Sequence, residues 1–201
     1  SEIISIQTGT KGIICVDTSP IMEKSWAQNA GIGWIGKHTN LLTQDFGSWL
    51  FLGEILLDIE LEYDNPFTED LCGTCTACLD ACPTDAFPEP YVLDSSKCIS
   101  YLTIEHRGDL PFEMEDKLSS WIFGCDICQE VCPWNIKFSQ NSQEKSFQPR
   151  TNLKERTLTE WSQLSEEEFR TLFKGSAVKR TKYEGLKRNI DLARKSLGES
   201  I

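Results

Sequence analysis

The chain of 201 residues contains no apolar run of the roughly eighteen residues that a membrane-spanning helix requires. Its first residues hold no basic stretch followed by an apolar core, so nothing reads as a signal peptide and a cytoplasmic protein is expected. It opens at Ser1 without a methionine and passes almost at once into an apolar, strand-like run, so a fragment of a longer protein is expected. Basic residues are scarce through residue 144, with 7 Lys and Arg against 23 acids, and concentrated beyond it, with 13 against 8. Such an acidic body is a poor nucleic-acid surface, and contact with a polyanion is expected to be led by the basic tail. Within a net charge of −11, 39% apolar and 25% charged residues are ordinary globular composition, enough for one generous domain or two small ones.

Cysteine is abundant and clustered. Eight of nine lie between Cys72 and Cys132, in two blocks that each end in Cys-Pro. The first, Cys72-Gly-Thr-Cys75-Thr-Ala-Cys78-Leu-Asp-Ala-Cys82-Pro83, has the spacing of a bacterial ferredoxin, in which three close thiolates hold one four-iron four-sulfur cluster and the fourth reaches a second cluster. The second, Cys125-Asp-Ile-Cys128-Gln-Glu-Val-Cys132-Pro133, lacks one cysteine of that spacing, and Cys98 upstream supplies it. Crossed ligation assigns Cys72, Cys75, Cys78 and Cys132 to one cluster and Cys98, Cys125, Cys128 and Cys82 to the other. A pair of zinc sites is the alternative, but zinc ligands usually come as separated Cys-x-x-Cys pairs. A disulfide framework suits neither the spacing nor the expected compartment.

Residues 3–6 and 12–16 read as two buried strands, with Asp17 at the end of the second. Ser19-Pro20 reads as a helix start, with Met22, Trp26 and Ala30 on one face and Gly31 as the stop. Gly31-Ile-Gly33-Trp-Ile-Gly36 matches the dinucleotide fingerprint in letters but follows a helix instead of a strand, so it is read as a glycine loop lying against a flat ligand. The apolar run 47–61 reads as a central strand interrupted by Glu54 and Asp58, and a domain boundary is placed in the polar stretch 63–70. Asp94 opens a short helix carrying Cys98, Ser100, Tyr101 and His106; another precedes Trp121, and residues 136–150 read as a loop. Ser165-Glu-Glu-Glu168 is a capping box, with Gly175 as the stop. A last helix runs from Lys182 to Leu197, with Tyr183, Leu186, Ile190, Ala193 and Leu197 inward and Lys187, Arg188, Arg194 and Lys195 outward. Cys15 reads as core packing.

Taken together, Val16-Asp17-Thr-Ser-Pro20, Gly31 to Lys37, Gly47-Ser-Trp, Leu52-Gly-Glu54-Ile, the cysteine blocks, Cys98-Ile-Ser-Tyr-Leu-Thr-Ile-Glu-His106, and Gly124-Cys-Asp126 through Cys132-Pro-Trp-Asn135 resemble epoxyqueuosine reductase, in order and over nearly the whole chain. The resemblance implies an iron–sulfur and cobalamin enzyme that reduces the epoxide of epoxyqueuosine at the wobble position of certain transfer RNAs. It implies an α+β chain: residues 1–66 as part of an α/β cobalamin-binding domain, 67–138 as a ferredoxin-like double-cluster domain, and 139–201 as a short, repeat-like helical tail.

Asp17 falls on the family's proton donor. A carboxyl at the end of a buried strand is expected to keep its proton near neutral pH, and the plainer role is to cap the helix near Ser19. Trp34, Gly36, Lys37, Ser100, Arg107 and Asp126 are implied near the corrin. Neither His38 nor His106 stands in the Asp-x-His-x-x-Gly context of corrinoid proteins that supply an axial imidazole, so cobalt is expected without a protein histidine. Lys174, Lys179, Arg180, Lys182, Lys187 and Arg188 are candidates for transfer RNA contact, a flavodoxin or ferredoxin is the expected electron donor, and a monomer is expected. Rival readings are a corrinoid reductive dehalogenase, a two-cluster electron carrier without chemistry of its own, and a zinc-stabilised nucleic-acid binder.

Overall fold

The computed structural model describes residues 11–118, 120–148, 153 and 155–198, so the strand expected over 3–6 lies outside the described residues. Short strands and short helices alternate: β1 Gly12–Cys15, α1 Glu23–Asn29, β2 Trp34–Ile35, β3 Leu41–Leu42, β4 Glu54–Leu57, α2 Ala77–Asp80, α3 Ile99–Ile104, α4 Phe112–Leu118, α5 Ile127–Glu130, α6 Pro133–Phe138, α7 Leu158–Ser162, α8 Glu166–Leu172 and α9 Lys182–Ser196. No described helix is long and apolar enough to cross a membrane. The residues form two compact units that interleave along the chain. One holds the chain to Leu79 with Pro90–Val92 and Cys128–Gln140; the other holds Asp80–Glu89, Leu93–Ile127 and the chain from Asn141 on. This differs from a linear division at residues 66 and 138, because each cysteine block contributes to both units.

In the first unit β1 pairs antiparallel with β4, Gly12 opposite Leu57 and Cys15 opposite Glu54. The β-branched residues favour the strand, as expected, but not its burial. Ile13 is 66% exposed, and Ile14, Ile55 and Leu56 are also exposed, because among the described residues a two-stranded ribbon has no second layer against it. Cys15 alone is buried, in keeping with a packing role. Within the run 47–61 strand forms only over Glu54–Leu57, paired on one side among the described residues, with Asp58 exposed just beyond its end. Helix α1 begins at Glu23, later than Ser19, because Ile21 N–H bonds the Ser19 carbonyl at 2.8 Å in a tight turn around Pro20. Met22 and Trp26 face outward, and the helix buries Ala27 instead.

The glycine run then enters the hairpin of β2 and β3, which pairs Trp34 with Leu42. A Cβ at Gly33 would overlap the Leu42 carbonyl oxygen, and one at Gly36 would come within 2.6 Å of the Leu42 side chain. The backbone approach expected against a flat ligand is thus made against the chain's own second strand. The core of this unit gathers Trp34, Leu42 and Cys132, with Phe67, Leu71, Cys72 and Trp134 packed on it. Trp34 is 1% exposed, its ring stacked on Phe67 at 5.5 Å and edge-on to Trp134 at 4.9 Å.

In the second unit one core gathers Ile99, Leu102, Leu110, Met114 and Leu118, and another Trp161, Leu164, Phe169, Phe173, Leu186 and Ile190. The capping box at Ser165 and Glu168 is formed, and the same pattern at Thr157 and Glu160, readable in the sequence, forms a second. Helix α9 buries Leu186, Ile190 and Ala193 as expected, but Leu197 is exposed and Arg188 does not face outward. Its guanidinium donates to the carbonyls of Leu102 at 2.9 Å, Gly108 at 2.6 Å and His106 at 3.3 Å, closing the C-terminal end of α3. His106 lies past that helix, not on it. The loop expected over 136–150 starts later, since α6 continues to Phe138, and it holds a 3-10 turn at Lys145–Phe147.

Candidate metal centres

Four of the expected ligands share one cavity of the first unit. Cys72, Cys75, Cys78 and Cys132 line a space of about 220 Å³, together with Lys37 and His38. The first two come from the loop that enters α2, and Cys78 from α2 itself. Asp70 opens this loop by accepting Cys72 N–H at 2.9 Å and the Tyr91 hydroxyl at 2.6 Å, and the latter bond holds the Asp70 carboxyl below its usual range. Lys37, 8% exposed, fixes the loop's middle by donating its ammonium to the carbonyls of Gly73 at 2.6 Å and Cys75 at 2.9 Å. Cys132 arrives on the second block. Just beyond it Trp134 Nε1 donates to Leu71 O at 3.2 Å, and Asn135, 2% exposed, exchanges bonds with Ser48: its Oδ1 accepts Ser48 N–H at 2.6 Å and its Nδ2 donates to Ser48 Oγ at 2.8 Å and Gln129 O at 2.8 Å.

The electrostatics of this cavity call for positive charge. Burial, then the neighbouring Cys132, Cys72 and Cys75, push the Cys78 thiol up to about 11, and burial raises Cys132 as well. A cation in the cavity would favour the thiolate at both Cys78 and Cys132. The four thiols do not converge on a point: among the described residues no three His, Cys, Asp or Glu side chains gather closely enough to hold a single ion. A zinc ion needs all its thiolates at about 2.3 Å from one centre. Thiols spread around a cavity suit a cubane cluster instead, and these four fit one.

His38, 3% exposed, borders the same cavity. Its Nδ1 accepts Asn40 N–H at 3.1 Å, its Nε2 has no partner, and burial holds its imidazole down to about 4.

The second unit holds Cys82, Cys98 and Cys125; Cys128 begins the last segment of the first unit. Cys82 Sγ accepts Ala86 N–H at 3.3 Å. Cys125 is raised mainly by burial, with Cys98 and Cys82 among the charges that add to it, so these three thiols sense one another. Gly124, at φ +70, sets up Cys125, and its N–H donates to Thr103 Oγ1 at 3.0 Å. Thr103 is in turn fixed by α9, whose Asn189 donates to Thr103 O at 2.8 Å and Ile122 O at 3.0 Å. The basic tail therefore buttresses the second cysteine group.

The other candidate residues are dispersed. Asp17 is exposed at φ +50 after β1, so the burial expected for it is not found, and α1 has no side-chain cap, so Asp17 does not cap it. Trp34 and Lys37 are turned into the first unit, toward its core and cysteine loop. Ser100 is half-buried in the first turn of α3, Asp126 is exposed, and Arg107 is exposed and donates to the carbonyls of Ile104 at 2.9 Å, His106 at 3.3 Å and Arg180 at 2.6 Å. Sequence reasoning quoted Asn135 and Thr103 inside motifs without giving either a role, and it missed Asn189, which stands in no motif.

Residues 71–135 match the model of the 4Fe-4S double cluster binding domain. The chain is 52% identical over 191 residues to the epoxyqueuosine reductase of Cellulophaga algicola, covering 94% of this chain and 62% of that protein. Over nearly all its length it is similar to epoxyqueuosine reductases. The epoxyqueuosine reductase of Leadbetterella byssophila is 54% identical over 179 residues, covering 89% of this chain and 58% of its own length. Among solved structures, an epoxyqueuosine reductase with an epoxyqueuosine-modified tRNA-Tyr stem loop matches with a TM-score of 0.91 at 32% identity, over 99% of this chain and 52% of that one. The enzyme from Bacillus subtilis, described with its aspartate catalytic loop swung out of the active site, matches with a TM-score of 0.89 at 31% identity, over 99% of this chain and 52% of that one. The chain thus spans somewhat more than half the length of these relatives.

Proposed function

We propose that the chain forms the cluster-bearing part of an enzyme that reduces the epoxide of epoxyqueuosine in transfer RNA to the alkene of queuosine. The observation that carries this reading is the cavity of four thiols in a chain similar to an epoxyqueuosine reductase solved with the modified stem loop. Removal of the epoxide oxygen as water takes two electrons and two protons. Bound to Cys72, Cys75, Cys78 and Cys132, and to Cys98, Cys125, Cys128 and Cys82, two four-iron four-sulfur clusters supply single electrons at low potential. Lys37 and the Ser48–Asn135 pair hold the first set of thiols in place, and Thr103 with Asn189 supports the second.

Asp17 donates a proton to the departing oxygen in this reading. Its place on an exposed turn, with Thr18 N–H bonded to Val16 O at 2.5 Å, agrees with a catalytic aspartate carried by a loop, as described for the Bacillus subtilis relative. Of the residues the resemblance implies for cobalamin, Trp34 and Lys37 are committed elsewhere and Gly36 packs on Leu42. Ser100, Arg107 and Asp126 are the candidates that remain, and cobalamin binding is proposed for the complete protein. Transfer RNA contact is proposed for the exposed Lys174, Lys179 and Lys182; Arg180, Lys187 and Arg188 also hold the tail together, through Glu105, Ser162 and the end of α3. Electrons are proposed to come from a flavodoxin or ferredoxin, with the protein acting as a monomer.

The test is anaerobic turnover of an epoxyqueuosine-bearing stem loop by the complete protein, parent and Asp17→Ala. The expected outcome is conversion by the parent and a loss of about 100-fold or more in the variant with about eight irons retained in both. Equal rates would remove the role given to Asp17, and a parent that binds iron but converts nothing would leave an electron carrier.

A further inference from the structure

One polar atom beside the four-thiol cavity is unaccounted for. His38 is 3% exposed and borders the cavity of Cys72, Cys75, Cys78 and Cys132. Its Nδ1 accepts the Asn40 N–H at 3.1 Å, so Nδ1 carries no proton. In a neutral imidazole the proton then stands on Nε2. That Nε2–H is buried and meets no acceptor among the described residues. Buried donors are almost always satisfied, and a lone exception calls for the group that completes it. The neighbouring Lys37 cannot be the residue that reaches into the cavity, since its ammonium is taken by the carbonyls of Gly73 and Cys75. The other orphan donor of this core, Trp34 Nε1, belongs to a ring that does not border the cavity.

We infer that His38 Nε2–H donates a hydrogen bond to a sulfur of the cluster held by Cys72, Cys75, Cys78 and Cys132, and that it thereby sets this cluster's potential. The inference rests on the cluster reading above. Reduction adds an electron to the cluster and makes its sulfurs better acceptors. A fixed N–H donor therefore favours the reduced form and raises the potential. The Asn40 bond fixes the tautomer, so the donor is in place before the electron arrives. His38 is a positioning residue in this account: it holds charge on the cluster and touches no substrate.

The chain has only two histidines, and the other, His106, has its Nε2 2.8 Å from the Asp109 carbonyl. Labelling all histidine with nitrogen-15 therefore reports on very few atoms. The experiment is pulsed electron–nuclear double resonance on the anaerobically reduced protein, with redox titration of the parent, His38→Phe and His38→Gln. The expected result is a weakly coupled histidine nitrogen with an exchangeable proton in the parent, absent in His38→Phe. Redox titration should show one cluster shifted to lower potential in His38→Phe and returned toward the parent value in His38→Gln, which again offers an N–H. A parent with no coupled histidine nitrogen overturns the inference, whether or not the variants fold. So does His38→Phe with full iron and an unshifted potential. A parent that binds no iron would sink the cluster reading itself, a failure told apart by the iron count.

Discussion

Replacing Asn135 by alanine tests how the second cysteine block is held. The side chain makes three bonds, from Ser48 N–H at 2.6 Å and to Ser48 Oγ and Gln129 O at 2.8 Å each, at a site 2% exposed. Alanine leaves the Ser48 N–H without its acceptor, while the Gln129 carbonyl keeps the Cys132 N–H at 3.2 Å and Ser48 Oγ keeps its bond to Gln129 Oε1 at 2.9 Å. One buried orphan costs about 1–3 kcal/mol. For a chain of this size that is a fall in Tm of about 3–10 °C. Because Asn135 follows Cys132 by one helical turn, the same change should loosen the fourth thiol of the first cavity and speed iron loss to a chelator. Asn135→Asp keeps the acceptor for Ser48 N–H and loses both donors, so it should fall between. The assay is anaerobic calorimetry with iron release followed in parallel. A melting point within about 2 °C of the parent, with iron release unchanged, would refute the reasoning.

Three further outcomes follow from the same geometry. Arg188→Met should destabilise by about 2–4 kcal/mol, since it leaves the carbonyls of Leu102 and Gly108 without their charged donor, and calorimetry of the second unit's unfolding checks it. Cys132→Ala and Cys82→Ala should each remove about half of the iron, and different electron paramagnetic resonance signals should be lost in the two variants. In the metal-free chain, His38 is held down to about 4 from 6.5, so the unfolded chain binds its proton more readily. Stability from this group is full above about 6.5 and lost as pH falls toward 4, a change of roughly 3 kcal/mol that denaturant titrations across pH would show; a flat profile would contradict it.

The cysteine blocks were legible in the sequence because ligand spacing is local: three thiolates within seven residues say what they hold before any fold is known. The capping box at Ser165 was legible for the same reason, as bonds between residues three apart, whereas the one at Thr157 was not picked out. The strands were half legible. Ile13 and Ile14 report a preference for extended backbone, but burial depends on a second layer that composition does not reveal. Arg188 was misplaced because periodicity assigns a face by hydropathy, and a long guanidinium at the edge of an apolar stripe can turn inward onto helix-end carbonyls. The bonds made by Asn135, Asn189 and Lys37 escaped because their partners lie far away in the chain, at Ser48, Thr103 and Gly73, leaving no local pattern.

The most direct test of the account is the metal and acid-labile sulfide content of the anaerobically prepared chain, with iron and zinc counted together. The account predicts about eight irons with matching sulfide and no stoichiometric zinc. One or two zinc ions per chain with no sulfide would contradict it, since the four thiols around the first cavity would then close on a single ion.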